Sequence, residues 1–213
     1  MVDGHYREAR RRLVDRLVRS GRCERASTEA ALRAVPRHAF VPEDDRREAY
    51  RDRPLPIGRG QTISAPHMVA TMLDHLAVDH GESVLEIGTG CGYHAAVTAA
   101  VVGAANTHSV EVDPELAREA VDRLERLGYG EIDVRVGDGR AGWPERAPFD
   151  AVYLTCATPS IPAALRDQVR PGGRLLAPVG TRHQELVLLE VGRDGSVVTE
   201  RHGEVRFVPM RDG

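Results

Sequence analysis

A helical period dominates the start of the chain. From residue 5 to 20 the apolar positions Tyr6, Leu13, Val14, Leu17 and Val18 share one face among arginines and acids, which predicts an amphipathic helix ended by Gly21. A second helix carries Ala30, Ala31 and Leu32; Ser27 or Thr28 can cap it and Pro36 stops it. Between residues 37 and 63 the period is lost. Pro42, Pro54, Pro56, Gly58 and Gly60 there favour a shaped loop over regular structure, and loops of such length are usually functional or disordered. After Pro66 a stripe of Met68, Val69, Met72, Leu73 and Leu76 predicts a third helix.

From there strands and helices alternate. Strands are expected at 83–87, 107–112, 132–136, 151–155 and 174–178, with helices at 93–102, 114–127 and 161–169 between them. Such alternation implies a mostly parallel sheet covered on both faces. Apolar runs at 185–191 and 205–208, separated by Gly192 and Gly195, read as a closing antiparallel pair. The expected fold is an α/β, Rossmann-like, doubly wound sheet with helices at its N-terminal end. The organisation expected is one compact domain, with residues 1–65 supplying the N-terminal helices and a substrate loop and residues 66–213 the ligand-binding core.

Composition narrows the chemistry. All 29 basic residues are arginine and there is no lysine, so a P-loop, a protein kinase site, a pyridoxal Schiff base and a lysine general base are excluded. Residues 1–59 hold 15 Arg against 10 Asp plus Glu, a basic excess that could touch nucleic acid. Those arginines alternate with acids at helical spacing, which reads instead as a solvated face. Cys23, Cys91 and Cys156 are too widely spaced for a disulfide framework or zinc cluster, and the histidines lack ligand spacing, so no metal is expected. With no apolar run of membrane-spanning length and no secretory leader, the expected location is cytoplasmic.

The sharpest motif is Val84-Leu85-Glu86-Ile87-Gly88-Thr89-Gly90-Cys91-Gly92, a buried strand running into a glycine turn and a helix. In a doubly wound sheet such a turn lies at the carboxyl edge where ligands bind, and the helix start offers free N–H groups. A dinucleotide fingerprint needs a small residue where Tyr93 stands, so a nicotinamide oxidoreductase is disfavoured. The acid-x-Gly-x-Gly-x-Gly pattern resembles the first motif of S-adenosylmethionine methyltransferases. Glu111 ends the second strand, where it could accept both ribose hydroxyls, with Val112 beside it; Asp138 and Gly139 close the third, placed to meet adenine.

The run from Pro54 to Ala70 contains Gln61-Thr62-Ile63-Ser64-Ala65-Pro66-His67-Met68. With Gly137-Asp138-Gly139, Ala147-Pro148-Phe149-Asp150-Ala151, Val169 to Leu175, Pro178-Val179-Gly180 and Phe207-Val208-Pro209, it resembles the protein-L-isoaspartate O-methyltransferase family over about residues 36 to 210. The resemblance implies a seven-stranded methyltransferase sheet. It also implies transfer of the S-adenosylmethionine methyl, leaving S-adenosylhomocysteine, to the free α-carboxylate of isoaspartyl residues in damaged proteins and peptides, a repair reaction. It places the active-site serine at Ser64, with Thr62 and Ile63 in the same loop, and puts His67, Val179 and Gln184 at contacts to substrate or cofactor. The chain departs from the family pattern at Cys91, His94 and Cys156. Read without the resemblance, Ser64 could merely cap the helix after it. The expected partners are isoaspartyl proteins and not nucleic acid or membrane, for a monomer. Two rivals stay open: a methyltransferase for another acceptor, such as the aspartate of a modified peptide, and a module that only binds the cofactor.

Overall fold

The computed structural model describes residues 2–212. Helix α1 (Val2–Arg19) turns Leu13, Val14 and Leu17 inward, as its period requires, and α2 (Ala26–Ala34) buries Ala31 and Leu32 beside them. Neither Ser27 nor Thr28 caps α2. Both lie inside the helix, and Arg25 is the N-cap; the N–H groups of Glu24 and Arg25 go to the Asp74 carboxylate at 2.6 and 3.3 Å. Helix α3 (Pro66–Leu76) starts on a proline, whose missing N–H costs nothing at a helix start, and ends on Ala77 in the left-handed region at φ 48°.

Residues 37–63 are more ordered than their composition suggests. They form two 3-10 helices, Arg37–Phe40 and Glu43–Glu48, and an antiparallel hairpin of β1 (Leu55–Gly58) and β2 (Gln61–Ile63). The proline and glycine content marks the hairpin's bends, not an absence of structure.

The remaining strands are β3 (Val84–Ile87), β4 (Thr107–Glu111), β5 (Asp133–Val136), β6 (Phe149–Leu154), β7 (Val169–Gly180), β8 (Gln184–Val191) and β9 (Val197–Val205). They form one sheet in the order β5-β4-β3-β6-β7-β8-β9, parallel from β5 to β7 and antiparallel through β8 and β9. Helices α4 (Tyr93–Val102) and α5 (Pro114–Arg126) pack with α1 to α3 on one face; the short α6 (Ala163–Arg166) covers the other through Leu165. Helix α6 is shorter than its apolar pattern suggested: Pro162 is its N-cap, Asp167 its C-cap, and Val169 already belongs to β7. The last strand comes earlier than residues 205–208. Its residues are almost all exposed, so no apolar alternation announces it, and the backbone of Phe207 is paired instead by the Gln184 side chain.

The strand order reverses direction at β3, with β4 on one side and β6 on the other. A crevice therefore opens at the carboxyl end of β3, the place a doubly wound sheet reserves for its ligand.

Candidate active site

The crevice is a cleft with about 760 Å³ of empty space. Its base is the turn Gly88-Thr89-Gly90 after β3, with Glu111 at the end of β4, Gly139 beyond β5, and Thr155 and Cys156 beyond β6. The roof comes from two distant pieces of chain, Gln61 to Ser64 of the hairpin and Val208 to Arg211 near the C-terminus.

Side chains fix the turn in this place. Gly88 has φ 98°, and a Cβ there would overlap Thr155 Oγ1, which donates to the carbonyls of Ile87 and Gly88 at 3.1 and 2.5 Å. Only glycine meets both demands. The carboxylate of Glu111 accepts the N–H of Gly90 at 2.8 Å and of Asp113 at 3.1 Å. A carboxylate has about four acceptor positions, so Glu111 keeps capacity for a second donor pair such as a ribose diol. Beside it Ile87, Val110 and Val112 give the apolar wall that a flat aromatic ring would need. Beside a glycine turn that leaves room for a ligand, a diol and a flat ring thus each find matching chemistry, and the residues fit S-adenosylmethionine.

Glu86 serves the cleft from outside it. Fully buried under the turn, it accepts from Ser109 Oγ at 2.6 Å and Tyr153 OH at 2.9 Å, while Ser109 meets Thr89 Oγ1 at 2.6 Å and Tyr153 meets Thr98 Oγ1 at 2.9 Å. Burial without a cation pushes its carboxyl up to about 8, the two hydrogen bonds opposing and Glu111 assisting. A neutral acid thus ties β3, β4, β6 and α4 together beneath Thr89. His94 lines the cleft with its ring against Tyr153 at 4.6 Å; burial lowers it to about 3, which leaves it neutral.

The roof is latched at its edges. Ile57 of the hairpin faces Gly90, and Arg59 at the hairpin tip reaches Asp113 at 3.3 Å and Glu115 at 2.5 Å. The Gln184 amide brackets Phe207, accepting its N–H at 2.7 Å and donating to its carbonyl at 3.1 Å, which carries the following residues over the cleft. Arg140 then meets Asp212 at 2.6 Å.

A second, more open hollow adjoins the first, lined by Pro54, Ala65, His67, Met68 and the stretch Glu204 to Val208. Thr62, Ser64, Thr155 and Val208 line both, so Ser64 stands where the two meet. His67 is anchored there, its backbone N–H and Nδ1 lying 2.9 and 2.8 Å from Asp52 Oδ1. Ser64 is not a helix cap: the N-cap of α3 is Ala65, and the Ser64 hydroxyl bonds to nothing among the described residues.

Thr62, Ile63, Ser64, Gly88, Thr89, Gly90, Glu111, Val112 and Gly139 all line the cleft, and His67 lines its neighbour. Five expected site residues stand back from both cavities. Glu86 lies under the turn, and Gly92 is the N-cap of α4, where a Cβ would press on Leu124. Asp138 turns to Arg140, whose hydrogen bonds hold its carboxyl below the usual range. Val179 packs against the core of the other face, and Gln184 acts on Phe207. The lining residues that sequence reasoning left out are chiefly Thr155, His94 and Val208 to Arg211. Of these, His94 had stood out only as a departure from the family pattern, and the Phe207-Val208-Pro209 run had nothing to connect it to the glycine turn.

Comparison with known proteins agrees with this geometry. The model of the protein-L-isoaspartate(D-aspartate) O-methyltransferase family matches residues 8–213. Protein-L-isoaspartate O-methyltransferase 2 of Archaeoglobus fulgidus is 51% identical over 207 residues, covering 97% of this chain and 94% of its own. The Methanopyrus kandleri protein-L-isoaspartate O-methyltransferase is 49% identical over 211 residues, with 98% and 93% covered. Among solved structures, a protein-L-isoaspartate O-methyltransferase superposes with TM-score 0.86 at 30% identity, over 95% of this chain and 66% of that one. A Plasmodium falciparum protein crystallised with S-adenosyl-L-homocysteine shares the fold, with TM-score 0.84 at 23% identity over 95% and 98% of the chains.

Proposed function

The chain belongs to the protein-L-isoaspartate O-methyltransferase family, and from that premise we infer that it transfers the methyl group of S-adenosylmethionine to the free α-carboxylate of L-isoaspartyl residues in damaged proteins and peptides. The observation that carries this reading is the place of Ser64, at the junction of a cleft whose chemistry suits the cofactor and an open cavity wide enough for peptide.

When bound, the cofactor supplies a methyl group already activated by its sulfonium. The chain's task is then to bring an acceptor to it in line. A carboxylate with a pKa near ~4 is ionised at pH 7, so no general base is required, and the lack of lysine is no obstacle. The neutral His94 and the burial-raised thiols of Cys91 and Cys156 need take no proton. We assign to the Ser64 hydroxyl one hydrogen bond to the acceptor carboxylate, and to the backbone of Thr62 to Ser64 the clamping of the peptide, with His67 beside it. Gly88, Thr89, Gly90, Glu111, Val112 and Gly139 would hold the cofactor. The roof of hairpin and C-terminal segment keeps water from the reacting atoms. Alignment of this kind can supply roughly 7 to 11 kcal/mol of the barrier.

We further propose that the enzyme works as a cytoplasmic monomer on isoaspartyl proteins, without nucleic acid or membrane as partner, residues 1–65 acting as the substrate-facing part of one domain. Supporting this, all three cysteines are unpaired and buried, and Arg11, Arg12 and Arg33 of α1 and α2 are paired with acids, Arg12 meeting Glu8 at 2.7 Å and Arg33 meeting Asp15 at 2.5 Å. No described helix is long and apolar enough to cross a membrane. Incubation with methyl-labelled cofactor and an isoaspartyl peptide tests the reaction. The label should enter the peptide as a base-labile ester; label that resists base, or none, would sink the assignment.

A further inference from the structure

The largest fully buried side chain among the described residues is a charged one, Arg37 in the first 3-10 helix. No carboxylate pairs with it. Its Nη1 donates to the Ala49 carbonyl at 3.3 Å, and its Nη2 donates to two carbonyls, those of Arg53 at 3.1 Å and Ser64 at 2.9 Å. The guanidinium lies 5.5 Å from the ring centre of Tyr93, and Nε has no partner. A cation buried without a counter-ion is costly, and a core that needed only volume would hold an apolar residue there.

What the guanidinium joins gives the reason for its presence. Arg53 lies two residues before β1, with Pro54 between, and Ser64 directly follows β2, so one nitrogen bridges the two chain segments that enter and leave the hairpin roofing the cleft. Ala49, on the second nitrogen, ties that base to the end of the second 3-10 helix. The planar fork of arginine suits three carbonyls in fixed directions, which a compact ammonium cannot reproduce. Tyr93, beneath the guanidinium, is itself a wall of the cleft.

We propose that Arg37 is a positioning residue for methyl transfer, whose guanidinium closes the base of the hairpin and thereby sets where the Ser64 hydroxyl meets the acceptor carboxylate. This rests on the reading of Ser64 as the residue that receives that carboxylate. Arg37 acts only through the backbone of the loop it closes. At saturating peptide and cofactor, losing it should therefore slow the reaction while the hydroxyl is present and slow it little once the hydroxyl is gone, whereas any looser clamping of the peptide by the same backbone would show in KM in both backgrounds.

The test is a double-mutant cycle on single-turnover methylation of an isoaspartyl peptide, using the full chain, with Arg37→Lys, Ser64→Ala and both together. Losing one or two charge-assisted hydrogen bonds predicts a ~10- to 100-fold slower reaction for Arg37→Lys. In the Ser64→Ala background the same change should cost no more than about two- to threefold, near the limit at which independent effects are resolved. Equal losses in both backgrounds would make Arg37 a general packing residue and overturn the proposal. An unimpaired Ser64→Ala enzyme would instead overturn the reading of Ser64. Should Arg37→Lys fail to fold, Arg37→Ala supplied with guanidinium ion takes its place in the cycle. Turnover restored by guanidinium with Ser64 present but not in the Ser64→Ala background supports the proposal; restoration in both, or in neither, overturns it.

Discussion

Replacing Ser64 by alanine separates what the serine does for the fold from what it does for the reaction. In the folded chain the Ser64 hydroxyl has no hydrogen-bond partner among the described residues, while the Ser64 carbonyl, which the substitution leaves intact, accepts from Arg37. Ala65 and not Ser64 is the N-cap of α3. Stability should therefore stay within ~0.5 kcal/mol of the parent, as for a side chain outside any capping or core role. Catalysis should not. One hydrogen bond from a hydroxyl to a carboxylate contributes about 1.5 to 3 kcal/mol, and each ~1.4 kcal/mol is a factor of ten in rate. Turnover should thus fall roughly 10- to 150-fold, with calorimetry showing cofactor affinity nearly unchanged. A covalent nucleophile would behave otherwise, its removal costing on the order of a million-fold. Cys156→Ala is the control: burial pushes that thiol up to about 12, so it is protonated and inert at neutral pH, and its loss should change the rate by only a few-fold. Single-turnover rates for the three proteins decide between these outcomes. An unaffected Ser64→Ala enzyme, or a million-fold loss, would refute the role given to Ser64.

Other expectations follow from the base of the cleft. Gly88→Ala places a methyl against Thr155 Oγ1 at φ 98°, so the turn must shift, and if that costs the bound state ~1 to 3 kcal/mol calorimetry should find S-adenosylmethionine binding weakened roughly 5- to 150-fold; undiminished affinity would remove the glycine turn from the site. Glu86, raised to about 8 from an ordinary carboxyl, stabilises the fold fully only below its unfolded pKa, and that contribution is lost as pH climbs through about 8. The parent's melting temperature should accordingly fall between pH 6 and pH 9 by more than that of Glu86→Gln, whose neutral amide mimics the protonated acid; parallel melting curves would refute a neutral Glu86. Gln184→Ala frees Phe207 and with it the roof formed by Val208 to Arg211, so the cofactor should dissociate faster in stopped-flow measurements. An unchanged dissociation rate would show that the bracket does not hold the roof.

Most of the sheet was legible in the sequence because buried parallel strands must be apolar on both faces, as β3 and β6 are, and the helix 93–102 is bounded by glycines at both ends. The closing antiparallel pair was expected and is present, but β9 lies at Val197–Val205 and not at 205–208, because an edge strand with nearly every side chain exposed carries no alternation to set its bounds. The hairpin escaped because its bends, Arg59 at φ 52° and Gly60 at φ 73°, look like disorder when only composition is counted. In the site, spacing pointed to the glycines and Glu111, which line the cleft, and to Asp138, which turns to Arg140 instead. Yet Glu86 resembled a ligand contact and proved to be a buried brace, since spacing places a residue on a strand but not its side chain above or below the turn. Arg37 gave no signal at all, one arginine among 29 basic residues, until its three carbonyl partners came together.

The most direct measurement is methyl transfer to two peptides of one sequence, one carrying an L-isoaspartyl residue and the other the normal aspartyl residue. The isoaspartyl form adds a backbone methylene and presents a free α-carboxylate, and a loop shaped as Thr62 to Ser64 against the neighbouring cavity must discriminate on those features. The isoaspartyl peptide should be methylated faster by orders of magnitude in kcat/KM. Equal labelling of the two peptides would contradict the assignment and turn the function toward another acceptor.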